Sequence, residues 1–95
     1  MKPQSRTRAI LRSGLTSTQR LVCVAIMDYA DADDEAYPSA STVAHDTGLT
    51  DRTVRKAVKA MLGNGLTIIG YRSGCRVFRL DVASLPERGS APSGT

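Results

Sequence analysis

Apolar residues recur at helical spacing in two stretches of this chain and at strand spacing in a third. Between Leu15 and Ala30, the residues Leu21, Val22, Ala25, Ile26 and Tyr29 form one stripe, which predicts a helix with that face turned inward. Cys23, Val24 and Met27 lie on another side of the same helix. A helix apolar nearly all round needs cover on more than one face. Two covers fit the pattern: a second copy of the chain docked on Cys23, Val24 and Met27, or Ile10, Leu11 or the tail folding back. From Asp51 to Gly63 a second amphipathic helix is predicted. At about 100° per residue, Val54, Ala57, Val58, Met61 and Leu62 fall on one side of it, with Arg52, Arg55, Lys56 and Lys59 opposite.

Polar punctuation sets the boundaries. Pro38 disfavours helix at Tyr37, and Ser39 is a good N-cap for a short helix over Ala40 to Asp46, with Val43 and Ala44 inward. Gly48 can take a left-handed conformation and end that helix, and Leu49 drops back to the core. Thr50 caps the next helix, with Asp51 in its first turn, where a negative charge suits the dipole. Leu66 to Tyr71 is β-branched and reads as a strand; Val77, Phe78 and Leu80 belong to a second, with Arg76 and Arg79 interleaved. Arg72-Ser73-Gly74 is the hairpin loop between them. Residues 1–14 lack strong periodicity and read as a basic arm, 15–83 as one domain, and 84–95, rich in Pro, Gly, Ser and Ala, as a disordered tail.

Charge sharpens this picture more than composition does. The net charge is +4, but the cations concentrate in the arm and in the half after Tyr37. Residues 28–35 hold five acids, Asp28, Asp31, Asp33, Asp34 and Glu35. Four like charges on one helix face, with no acid beyond Asp51 at its cap, repel one another unless a polyanion meets them. Helix, Gly-containing turn and amphipathic helix is the helix-turn-helix arrangement, whose second helix lies in the major groove of duplex DNA.

At this point the chain resembles a family. Tyr37, Pro38 and Ser39, then Ala44, Gly48, Leu49, Thr50, Arg52, Thr53 and Val54, and finally Leu62, Gly65 and Leu66 are similar to the winged helix-turn-helix domains of small bacterial, phage and plasmid regulators and replication initiators. With flanking helix and wing, the resemblance covers about Leu15 to Leu80. It implies a mainly α fold with a small β-hairpin: three helices plus a two-stranded wing. The chain departs from it at Asn64, where a charged residue is common, and at Asp46-Thr47, a more polar turn than many members have.

The expected partner is therefore double-stranded DNA. Arg52, Thr53 and Lys56 are placed to reach base edges from the N-terminal half of the second helix, with Arg52 the candidate for guanine. Thr50, Arg55 and Lys59 flank that face, Ser39 and Thr42 meet the backbone, and Arg72 and Arg76 put the wing on phosphate or in the minor groove. Arg6, Arg8 and Arg12 are the arm's candidate contacts. The activity expected is that of a sequence-specific transcriptional regulator, a repressor or phage or plasmid control protein. Two alternatives stay open: a replication or recombination accessory protein, and a protein-interaction module acting through Cys23, Val24 and Met27.

Other chemistry is poorly supported. His45 has no nucleophile or carboxylate pattern around it, so no enzyme is expected. The acidic stretch from Asp31 lacks the Gly and Glu of a calcium loop, having Ala36 and Thr42 there. Cys23, Cys75 and His45 form no zinc pattern, so neither metal nor cofactor is expected. No apolar run reaches bilayer length and no signal-like segment is present, so membrane association is not expected and a cytoplasmic, nucleoid-associated protein is.

Overall fold

The computed structural model describes residues 3–87. Four helices, α1 (Pro3–Leu11), α2 (Ser17–Met27), α3 (Ala40–Thr47) and α4 (Asp51–Met61), accompany three strands, β1 (Glu35–Ala36), β2 (Leu66–Arg72) and β3 (Cys75–Leu80). A short 3-10 turn covers Val82–Ser84. The strands form one antiparallel sheet in the order β1-β3-β2. This is the expected winged helix-turn-helix with one more helix and one more strand.

Helices α2, α3 and α4 each start where local chemistry satisfies free N–H groups. At α2, Thr16 accepts from the Gln19 N–H while the Gln19 side chain accepts from the Thr16 N–H, a reciprocal capping box. Ser39 accepts from the Thr42 N–H at α3, and Thr50 from the Thr53 N–H at α4. Such a cap is worth about 1 kcal/mol, which matters in a helix as short as α3.

The core is built where α2, α3, α4 and the inner sheet face meet. Val22, Ile26, Val43, Val54, Met61 and Leu66 are almost completely buried there. On α2 the inward stripe differs from the expected one. Leu21 is 46 % exposed and Tyr29 44 %, whereas Cys23 and Met27 are buried. The reason is α1. It packs against α2, and Ile10 is fully buried in the same core, so α2 is covered on two sides from within the chain. The face expected to receive a second copy or another protein is thus closed: Cys23 and Met27 are interior, and Val24 is half-buried against the core. Cys23 and Cys75 are both free.

The segment read as an arm is therefore largely helix. Past its end the buried Ser13 donates its hydroxyl proton to the Ile10 carbonyl, and the Gly14 N–H donates to the Pro86 carbonyl at 2.6 Å. Leu85 is half-buried against the core, so packing continues beyond residue 83. Residues 88–95 of the expected tail, with Met1 and Lys2, lie outside the described residues.

The acidic connection is ordered from within. The Asp31 carboxylate accepts from the backbone N–H groups of Asp33 and Glu35, and those donors hold its pKa below the ordinary value. Arg6 forms an ion pair with Asp34, and Arg79 one with Glu35 at 3.0 Å. Glu35 and Ala36 then pair with Arg79 and Phe78, which makes β1.

A candidate nucleic-acid interface

The turn between α3 and α4 uses its polar residues. Gly48 closes α3 at φ 77°, and its N–H bonds back to the Ala44 carbonyl. The Thr47 hydroxyl donates to the Val43 carbonyl at 2.7 Å and accepts from the Leu49 N–H at 3.3 Å. Asp46 accepts from the Tyr29 hydroxyl, which ties α3 to the end of α2 and raises the Tyr29 pKa. The departure from the family pattern at Asp46 and Thr47 is thus an internally bonded turn.

On α4 the burial follows the predicted periodicity. Val54, Ala57, Val58 and Met61 are buried, and Arg52, Arg55, Lys56 and Lys59 are exposed. Asp51 accepts from the Ser41 hydroxyl of α3 at 3.1 Å and lies 3.9 Å from the Arg55 guanidinium. That pair is exposed and one turn apart, so it only partly neutralises Arg55. No ion pair among the described residues engages Arg52, Lys56 or Lys59. The three cations stand on one helix face, free to meet an anion.

The hydroxyl residues hold the frame. Thr50 donates to the Thr53 hydroxyl at 2.9 Å, and the Ser39 and Thr42 hydroxyls lie 3.0 Å apart in a hydrogen bond. Thr42 and Thr53 are half-buried. The first role of Ser39 and Thr50 is to cap α3 and α4, with Thr42 and Thr53 as their partners, and any contact to a backbone phosphate is additional to that.

In the wing, Ser73 (φ 53°) and Gly74 (φ 80°) form a two-residue hairpin loop with positive φ at both central positions, the twist that suits flanking strands. The loop pairs Arg72 with Cys75 and Tyr71 with Arg76. A bulge follows, with Ile68 opposite Phe78 but Gly70 opposite Val77. Side chains alternate between sheet faces, so Arg76 shares the inner face with Phe78, and its partner Tyr71 joins it there. Between this face, α4 and the start of α3 runs an open cleft of about 370 Å³, lined among others by Pro38, Ser39, Val54, Arg55, Tyr71 and Arg76.

The structure thus brings Ser39, Arg55 and Arg76 to one cleft beside the cationic face of α4. It does not bring Arg72 there. Arg72 turns to the other side, with its guanidinium carbon 5.0 Å from the centre of the Tyr37 ring. Arg6 is taken by Asp34, and Arg8 and Arg12 are exposed near α1, whose main packing partners are α2 and the 3-10 turn. Tyr71, 72 % exposed and on the cleft side, was missed by sequence reasoning. The two-residue loop was the available signal, because it fixes Tyr71 opposite Arg76.

Residues 13–65, more than half of the chain, match the family described as "Helix-turn-helix domain", and the chain belongs to that family. No curated protein and no solved structure matches it. The family match and the cationic face together indicate DNA as the partner.

Proposed function

We propose that the protein is a sequence-specific double-stranded DNA-binding regulator of transcription, a repressor or a phage or plasmid control protein. The observation that carries this reading is the outer face of α4, where Arg52, Lys56 and Lys59 have no acidic partner among the described residues. α4 enters the major groove, with Arg52, Thr53 and Lys56 nearest the base edges and Arg55 and Lys59 on phosphates. Thr50, Ser39 and Thr42, at and near the helix starts, meet the backbone, and Arg76 with Tyr71 carries the wing edge. It acts by occupying its site, with no cofactor, in the compartment that holds the DNA.

The test is selection and sequencing from a pool of random duplexes, on the wild type and on Arg52→Ala/Lys56→Ala. An enriched motif that disappears in the double variant is expected. A two-fold symmetric motif indicates a dimer on DNA, and a single short site a monomer. Binding of all duplexes at low salt without enrichment would replace regulation by an architectural or accessory role. No binding at low salt would end the DNA reading.

A further inference from the structure

The three arginines of the wing are sorted by register. Arg79 is spent on Glu35, Arg76 faces the cleft opposite Arg55, and Arg72 lies over the ring of Tyr37. Tyr37 immediately precedes Pro38 and Ser39, so it sits just before the N-cap of α3. The contact therefore joins the tip of the hairpin to the start of the helix-turn-helix. Beyond the Ala36–Phe78 pair, β1 no longer supports β3, and the hairpin continues on its own ladder for three more pairs, Val77 with Gly70, Arg76 with Tyr71 and Cys75 with Arg72, on the order of ten ångströms. A two-stranded hairpin is marginal alone. Contact with the Tyr37 side chain first, then the charges of Glu35 and Asp31, favours the charged guanidinium of Arg72. That acidic neighbourhood is a poor place for a phosphate.

We infer that Arg72 is a positioning residue, not a DNA contact: through Tyr37 it holds the wing so that Arg76 stands across the cleft from Arg55. The inference rests on the DNA-binding reading for its consequence, though not for its geometry. A cation over an exposed aromatic ring is worth about a two- to five-fold change in an equilibrium, and that is the expected loss of DNA affinity when the clasp is opened.

Removing the ring while keeping the charge separates positioning from contact. In titrations of duplex at fixed salt, Tyr37→Leu and Arg72→Ala each weaken binding by about two- to five-fold. Tyr37→Phe keeps the ring but loses the hydroxyl, so its affinity falls between the wild type and Tyr37→Leu. The double variant Tyr37→Leu/Arg72→Ala is no weaker than either single one, because both remove the same interaction. If Arg72 touches DNA directly, Tyr37→Leu binds as well as the wild type or better, and the inference is overturned. Proton NMR of the free protein tests the clasp without DNA. The Arg72 δ-methylene protons are expected upfield from the ring current and return to ordinary positions in Tyr37→Leu. An unshifted signal in the wild type also overturns the inference. A wild type that shows the upfield signal yet binds no duplex would sink the DNA reading and leave the clasp standing.

Discussion

Ile10 and Leu11 are neighbours of similar size at the end of α1, yet Ile10 is fully buried and Leu11 is 49 % exposed. Truncating each to Ala tests whether α1 is part of the folded domain. Ile10→Ala deletes three carbon groups from the core, at about 0.8 kcal/mol each. Incomplete collapse of the space left behind adds on the order of 1 kcal/mol, giving about 3–4 kcal/mol in all. Leu11→Ala removes the same number of groups from a half-exposed position, so about 1 kcal/mol is expected. A domain of this length is stable by roughly 5–13 kcal/mol, so the first change is a large fraction of the whole.

Urea titration followed by far-ultraviolet circular dichroism is the assay. With a slope of about 1–1.5 kcal/mol per molar, Ile10→Ala lowers the midpoint by about 2–4 M and Leu11→Ala by under about 1 M, at unchanged slope. Below its midpoint, Ile10→Ala still binds duplex like the wild type, because its side chain lies in the core and not on the α4 surface. An Ile10→Ala midpoint within error of the wild type, or a larger loss from Leu11→Ala, would refute the docking of α1. Lost DNA binding at unchanged stability would restore the arm in its place.

Four further outcomes are expected. If Arg55, Lys59 and Arg76 meet about three phosphates, log affinity falls against log salt with a slope near −2.7, about 40-fold between 50 and 200 mM; a slope shallower than about −1 contradicts the proposed face. Cys75, half-buried, reacts with a thiol reagent in the native state, while Cys23, fully buried with its pKa pushed from 9.0 up to about 12, reacts only after unfolding. The Cys23 shift also favours the fold fully below pH 9 and is lost as pH rises toward 12, at about 1.4 kcal/mol per unit, so stability measured over that window falls less steeply in Cys23→Ala. Gly48→Ala meets open space but must hold φ 77°, so it costs about 1–2 kcal/mol of stability in thermal unfolding, most of which Gly48→Asn recovers.

How much of this could be read from the chain depends on how local each signal is. Ser39, Gly48 and Thr50 act within three or four residues of themselves, and the bounds of α3 and α4 follow from them. The α4 face was legible for the same reason, since periodicity within one helix sorts Arg52 from Val54. On α2 periodicity had no choice to make. Val22 and Cys23 are both buried because two different neighbours cover them, and nothing within the helix says where α1 will lie. β1 is two residues long and exists through pairing with Arg79 and Phe78, far away in the chain. The role of Arg72 was hidden by a register that depends on the hairpin loop and by a ring thirty-odd residues earlier, about the span from Tyr37.

The internal pairings also explain why the net charge understates the site. Acids cluster between α2 and β1, and they draw in cations that would otherwise be scattered: Asp34 holds Arg6, and Glu35 holds Arg79. Arg72 lies in the field of Glu35 and Asp31. On α4 the one acid, Asp51, is shared between Ser41 and Arg55 and leaves Arg52, Lys56 and Lys59 unopposed. Among the described residues, the acids gather in one region and the cations of α4 stand apart from it. Such a separation orients an approaching duplex before any contact forms, and it raises productive encounters more than a uniform charge of the same total would. The acidic loop keeps Arg6 and Arg79 paired.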